Sequence, residues 1–300
     1  MVRKEQITKV GDGLLVLAPA KINLCLLIAG KRNDGFHDIE TVMAKIDWYD
    51  EILIEAGDRR GIELICRGAF WAPEGEDNLI HRAATMLLES CGMTADVKIT
   101  LTKNIPAGTG LGSASSDAAG TLVGLNQFLE LDAGTKNLNR LAGELGSDVP
   151  FFLNGPMALC TGRGEKIKKL CQIFDFRAML ILPDVSVSTK DVYANYEHDA
   201  AFYEQFSGPM RGHIEKNRID LVTDMCTNML EKSCFGLYRE LSDLKAKTES
   251  LVRGPVCLSG SGSAMYFIAA GKVEKMTEHE RRKLEESINC RTIIVRNNRW

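Results

Sequence analysis

Three glycines and three serines crowd the stretch from Ile105 to Ser116, and a helical pattern of Ala118, Leu122, Leu125 and Leu129 begins directly behind them. Glycine lets the backbone come close to an anion, and the first N–H groups of a helix lack internal partners at its positive end. The chemistry this arrangement serves is the cradling of a polyphosphate. A tight turn with a serine N-cap is the plainer reading of the same residues. Transfer of a phosphoryl group from such a loop needs a carboxylate near the acceptor hydroxyl and a cation to offset developing charge, with no covalent step by the protein. Asp148, set among Gly146, Val149 and Pro150, is a charge in an apolar setting, where burial without a partner is costly. Lys21, at the head of the apolar run from Ile22, is the candidate partner; it can keep Asp148 ionised and stabilise negative charge in the transition state. Taken singly, a turn aspartate and a strand-edge lysine explain the two residues equally well.

Other phosphate motifs are excluded. The Gly-Lys pairs, at Gly30 and Gly271, are followed by Arg32 and Val273 rather than by Ser or Thr, so there is no Walker A loop. The third glycine of a dinucleotide fingerprint is missing, and His81-Arg82-Ala83 is not a protein-kinase catalytic loop.

The elements that must position these residues are readable from hydrophobic periodicity. Runs at Leu14–Leu17, Ile22–Ile28, Ile39–Ile46, Ile52–Glu55 and Ile62–Cys66 predict strands, so the first quarter is β-rich. A helix follows Asn78 and stops at Gly92, and Val97–Leu101 predicts another strand. The glycine loop then leads into a helix over Ala114–Leu129, with a second at Thr135–Leu145, and Pro150 belongs in a turn or a first helical turn. Beyond a glycine- and charge-rich stretch at Gly162–Lys169 come strands at Met179–Leu182, Met265–Ala269 and Thr292–Arg296, and helices at Asp220–Lys232, Leu237–Leu251 and Val273–Ile288. That stretch divides the chain into lobes of residues 1–165 and 166–300.

Composition narrows the partners. A chain of 300 residues, 45% of them hydrophobic, can bury a large core, and a formal charge of -3 gives no field that calls for nucleic acid or an anionic membrane. Small molecules are the expected partners. Nine scattered cysteines without a CxxC pair predict reduced thiols and a cytoplasmic protein, and no spacing of His or Cys predicts a structural metal. The charged stretch Met1–Val10 lacks the apolar core of a signal peptide, and no run of about 18 uninterrupted apolar residues occurs, so a soluble, unexported protein is expected.

Four blocks carry a resemblance. Pro106-Ala107-Gly108-Thr109-Gly110-Leu111-Gly112-Ser113-Ala114-Ser115-Ser116 is similar to the phosphate loop of the GHMP kinases, Pro-x-x-x-Gly-Leu-x-Ser/Gly-Ser-Ser/Ala. Pro19-Ala-Lys21-Ile-Asn23-Leu24 with Arg32-Asn-Asp34-Gly35-Phe36-His37, and Leu145-Gly-Ser-Asp148-Val-Pro-Phe-Phe152, resemble blocks of the diphosphocytidyl-methylerythritol kinases within that family. Leu258-Ser-Gly-Ser-Gly-Ser263 matches the family's late glycine loop. The blocks stand in the family's order from residue 19 to 263; the departure is Ser113-Ala114, where the subfamily usually has Gly-Gly.

The resemblance implies an α+β, two-lobed GHMP kinase fold, with an N-terminal nucleotide-binding lobe and a C-terminal α/β sandwich lobe. It implies ATP as cofactor and the whole loop from Pro106 to Ser116 as the ATP site; Mg²⁺ is expected with ATP because it bridges phosphate oxygens, and Ser116 is the candidate ligand for it. It makes Asp148 the residue that takes the proton of the acceptor hydroxyl, with Lys21 beside it, and the acceptor the 2-hydroxyl of 4-diphosphocytidyl-2-C-methyl-D-erythritol. Phe36 and His37 would contact the cytosine, and Tyr193, after Val187-Ser-Thr, would stack on its other face. Apart from the resemblance, the strand period of two puts Asn23 on the face of Lys21, where it is expected to meet substrate hydroxyls. A GHMP kinase for another small alcohol, and an inactive nucleotide-binding protein on the same scaffold, remain as alternatives.

Overall fold

The computed structural model describes residues 5–170, 175–252, 254–268 and 277–300. After β1 (Ile7–Val10), the apolar runs expected as separate strands fuse in pairs: β2 spans Gly13–Lys31 and β3 spans His37–Ala56. The fusion is possible because the intervening residues are tolerated as irregularities. Register shifts fall between Pro19 and Lys21, Asn23 and Cys25, and Ile28 and Gly30; the first and last coincide with a proline and a glycine, which interrupt a ladder at least cost. At the first of them the Lys21 N–H bonds Leu111 O of the phosphate loop at 2.9 Å, tying strand to loop.

The strand β4 (Ile62–Gly68), helix α1 (Leu79–Ser90) and strand β5 (Val97–Lys103) follow, with Asn78 capping α1 through a 2.9 Å bond from Ile80 N. Then come α2 (Ser113–Phe128), α3 (Gly134–Leu145), the four-residue α4 (Val149–Phe152), β6 (Met157–Gly162) and β7 (Lys166–Lys169). These strands form a seven-stranded sheet of order β1-β2-β3-β5-β4, with β6 pairing the first part of β3 and β7 pairing β6. Only β4 and β5 run parallel. The length of β3 decides this layout, since Glu51–Ala56 pair with β5 while Ile39–Ala44 pair with β6.

The remainder builds a four-stranded antiparallel sheet, β11-β8-β10-β9. Its elements in chain order are β8 (Arg177–Leu182), α5 (Thr189–Ala194), α6 (Ala200–Glu215), α7 (Ile219–Asp224), α8 (Glu231–Leu237), α9 (Arg239–Val252), β9 (Cys257–Leu258), β10 (Met265–Phe267), α10 (Glu278–Ile288) and β11 (Arg291–Arg296). We place the boundary between lobes after Lys169, where the first sheet ends, and before Arg177, where the second begins.

Two expectations are corrected here. The helix expected over Asp220–Lys232 is two helices, because Leu26 N bonds Thr227 O and Met229 N bonds Leu26 O, drawing the intervening segment onto β2. Cysteines were expected to be reduced throughout, yet Cys226 and Cys257 form a disulfide. The same segment explains it: the Asn228 amide donates to Leu258 O and Gly260 O, which sets Cys226 beside β9. The helices α5 and α6 were not anticipated, and α6 carries Pro209 inside it. Residues 273–276 of the last expected helix, and Ala269 of the strand before it, lie outside the described residues.

Two cores result. Val16, Ala18, Ile52 and Ile54 pack against α1 and α2, whereas Ile22, Leu24, Leu26 and Ile28 belong to a core shared with β8, β10 and α6. Gly124 lets α2 lie close on the sheet, since a Cβ there would sit 2.5 Å from Val16 Cγ2. Between the cores, β2 carries Lys21 to the point where the two sheets' loops meet.

Candidate active site

Between these loops lies a cavity of about 820 Å³. Fifteen of the seventeen expected site residues line it; Leu111 and Ser116 do not, being buried at 0% and 1% exposure. The phosphate loop is held from below by backbone and from above by the late glycine loop. Ser259 Oγ donates to Gly110 O at 3.0 Å, and Ala264 N donates to Thr109 O at 3.0 Å. Gly110 has a φ of +74°, and a Cβ there would come 2.0 Å from Ser259 O, so neither conformation nor space admits a side chain. Gly112, with φ +70°, precedes the first turn of α2, whose N–H groups open toward the cavity side of the loop.

Lys21 is buried, and its Nζ donates to Asn23 Oδ1 at 2.7 Å while lying 3.5 Å from Asp148 Oδ2. Asn23 is in turn oriented by Thr41: its amide donates to Thr41 Oγ1 at 2.8 Å, and that hydroxyl donates to Cys25 O. In the unliganded geometry Asn23 therefore fixes the ammonium of Lys21. The period of two that put Lys21 and Asn23 on one face of β2 is the reason they meet. Asp148 occupies the N-cap position of α4 but makes no side-chain cap bond, so its carboxylate is not committed to the helix and faces the ammonium instead.

At the other end of the cavity the rings of His37 and Tyr193 lie 5.3 Å apart, and Tyr196 meets His37 edge-on at 5.5 Å. Burial, then the charge of Lys31, holds the His37 imidazole below its ordinary pKa. Burial likewise pushes the Tyr193 phenol up, out of any titration near neutrality. Phe36 is half exposed, with the Arg163 guanidinium 4.9 Å from its ring centre.

Several functional residues escaped the sequence reading. Lys103 is 2% exposed, and its ammonium donates to Asp50 Oδ2 at 2.6 Å, Ser113 Oγ at 2.7 Å and Asp117 Oδ2 at 2.5 Å. Asp50 Oδ1 accepts the Asn104 and Ile105 N–H groups. One cluster thereby pins both ends of the phosphate loop. Burial pulls the Lys103 pKa down, and the two carboxylates outweigh it, so the ammonium is held above its ordinary value. Asp117 is pushed up to about 8 by burial, with Lys103 only partly opposing this and the nearby Asp50 carboxylate adding to it, and its Oδ1 has no hydrogen-bond partner. Parity could have found Lys103: Val97, Ile99 and Leu101 are the inward residues of β5, and Lys103 is next in the same phase. Arg163 and Tyr196 carried no signal in the sequence.

Comparison with known proteins agrees with this geometry. Residues 78–156 match the family model described as the GHMP kinases N terminal domain. The chain is 33% identical over 280 residues to a 4-diphosphocytidyl-2-C-methyl-D-erythritol kinase of Clostridium botulinum, covering 93% of this chain and 99% of the relative. It is 40% identical over 253 residues to one of Methylacidiphilum infernorum, covering 84% of each. Among solved structures, a 4-(cytidine 5'-diphospho)-2C-methyl-D-erythritol kinase superposes with a TM-score of 0.73 at 31% identity, over 95% of this chain and 99% of that one. A homoserine kinase from Cytophaga hutchinsonii superposes at 0.74 with 20% identity, over 99% and 98%, which speaks to the shared fold alone. The chain belongs to the GHMP kinases, in their 4-diphosphocytidyl-2-C-methyl-D-erythritol kinase branch.

Proposed function

We propose that the protein transfers the γ-phosphoryl group of ATP to the 2-hydroxyl of 4-diphosphocytidyl-2-C-methyl-D-erythritol, a step of non-mevalonate isoprenoid precursor synthesis. The observation that carries the reading is one cavity with a glycine loop, a Lys21–Asp148 pair and an aromatic–histidine cluster along its wall. The loop from Pro106 to Ser116 holds the phosphates through the backbone N–H groups of its cavity-lining residues between Ala107 and Ser115 and through the positive end of α2. Asp148 accepts the proton of the acceptor hydroxyl at its carboxylate as the oxygen attacks the γ-phosphorus. Lys21, held by Asn23, keeps its positive charge beside both the carboxylate and the transferring group. His37 is neutral near pH 7, so it presents one ring N–H and one bare nitrogen to the edge of the cytosine, while Phe36 and Tyr193 offer ring faces.

Magnesium fits as an ion carried by the nucleotide. Among the described residues no three His, Cys, Asp or Glu side chains gather to hold a metal, and the buried Ser116 Oγ lacks a hydrogen-bond partner. Such a donor set suits Mg²⁺, which takes few protein ligands; Ser116 is the hydroxyl we assign to it, reached by a turn of its side chain from its buried place behind the lining residue Ser115. Bound there, the ion would neutralise phosphate charge; the proton transfer stays with Asp148. No helix among the described residues is long and apolar enough to cross a membrane.

The test is ADP release with Mg²⁺-ATP and either the cytidylylated acceptor or the same polyol without the nucleotide. Turnover confined to the cytidylylated acceptor supports the reading. Equal turnover with both would remove the cytosine pocket from it, and turnover with neither would reassign the acceptor.

A further inference from the structure

Lys45 has no place in the chemistry above and no carboxylate within ion-pair distance among the described residues, although it is only 1% exposed. A bare buried ammonium is costly, and a lysine in such a site is held by something else. Its Nζ donates to Phe152 O at 3.0 Å and to Asn154 O at 2.7 Å, with the Phe151 ring 5.9 Å away. Those carbonyls sit at the C-terminal end of α4, where carbonyls lack helical partners and a cation is favourable. Asp148 stands at the opposite end of the same helix.

The strand register makes the arrangement a single device. Lys21 and Lys45 are directly opposed in the β2–β3 ladder, so both side chains leave the same face of the sheet. One reaches the Asp148 end of α4 and the other its carbonyl end, across a helix of four residues. The backbone of Lys45 is anchored too: its N–H donates to Pro156 O at 2.8 Å, and its carbonyl accepts from Asn298 N at 2.8 Å. The distance between Lys21 and Asp148 is thus fixed on both sides by residues of one rigid strand pair.

We propose that Lys45 is a positioning residue for phosphoryl transfer: by gripping the carbonyl end of α4 it sets where the Asp148 carboxylate lies relative to Lys21. The proposal rests on Asp148 as the base. Displacement of a reacting group by about 1 Å can cost about 100-fold in rate, so Lys45→Met is expected to lower kcat by about 10- to 100-fold. The KM values for ATP and acceptor should stay within about threefold, because neither binding surface is touched.

A double-mutant cycle separates positioning from general damage. Lys45→Met is made alone and in an Asp148→Asn background, and single-turnover rates are measured with excess enzyme, alongside melting temperatures. If Lys45 acts through Asp148, the second background loses less than about twofold on adding Lys45→Met. A wild-type kcat in Lys45→Met, or the same fold loss in both backgrounds, overturns the proposal while an inactive Asp148→Asn leaves the base reading standing. A wild-type rate in Asp148→Asn alone overturns both. Should Lys45→Met not fold, Lys45→Gln, whose amide can still reach one carbonyl, enters the same cycle with a smaller expected loss.

Discussion

Two buried lysines, Lys103 and Lys45, hold opposite sides of the cavity in opposite ways. Lys103 at the root of the phosphate loop is gripped by two carboxylates and a serine hydroxyl, whereas Lys45 beneath α4 meets only backbone carbonyls and a ring. The loop end is consequently an electrostatic joint, in which removal of one member strands buried charges of the other sign. Removal of Lys45 at the α4 end strands two neutral carbonyls and no charge. What the difference teaches is that a change at the loop should be felt first in stability, and a change around α4 first in turnover.

The comparison breaks most visibly at Asp148. Asp148→Asn should lower kcat by about 100- to 10,000-fold, the range for a lost general base, with the ATP KM within a few fold and unfolding free energy within about 1 kcal/mol. Steady-state kinetics and urea titration check it, and a stability loss of several kcal/mol would merge the two ends. Next in size is Lys103→Met, which leaves Asp50 and Asp117 buried without their cation and should cost about 3–5 kcal/mol in urea unfolding. Lys45→Met in the same assay should lose less, about 1–2 kcal/mol, since it leaves two carbonyls without their donor but strands no buried charge. Equal losses for the two lysines would erase the distinction.

Smaller still is the effect at the far wall. His37→Ala should raise the acceptor KM about tenfold, the worth of about one hydrogen bond, without moving the ATP KM. Because burial holds the His37 pKa below 6.5, the wild-type acceptor KM should be flat from pH 7 to 8 and change only as the medium becomes more acidic. The last effect is a slope. Burial pushes the Lys45 ammonium down to about 7 from an ordinary value of 10.5, so above pH 7 the unfolded chain binds the extra proton. Stability then rises with pH from about 7 towards 10 on account of this group. Melting curves across pH 7 to 9 should show that rise in the wild type relative to Lys45→Met; parallel curves would place Lys45 in a less buried setting.

The parts legible in the sequence were those with a local rule. The phosphate loop could be read because glycine and serine before a helical period have few other uses, and Lys21 and Asn23 because a strand has a period of two. The length of β2 was hidden by Pro19 and that of β3 by the polar stretch from Asp47 to Glu51, which interrupt the apolar pattern without ending the strands. The break after Asp224 was hidden for a different reason: it is imposed by backbone pairing to Leu26, some 200 residues away in the chain. Lys45 illustrates the limit best. Its strand phase holds Thr41, Met43 and Asp47, a mostly polar face in the sequence, and nothing local says that it is buried or that its partners are the carbonyls of Phe152 and Asn154.

The most direct test of the central claim is ³¹P NMR of the product formed from Mg²⁺-ATP and 4-diphosphocytidyl-2-C-methyl-D-erythritol. The account predicts one new phosphomonoester, coupled to the 2-position of the methylerythritol, appearing in step with ADP and with the diphosphate signals of the cytidylyl group intact. Inorganic phosphate in place of that ester, or an ester elsewhere on the acceptor, would contradict it.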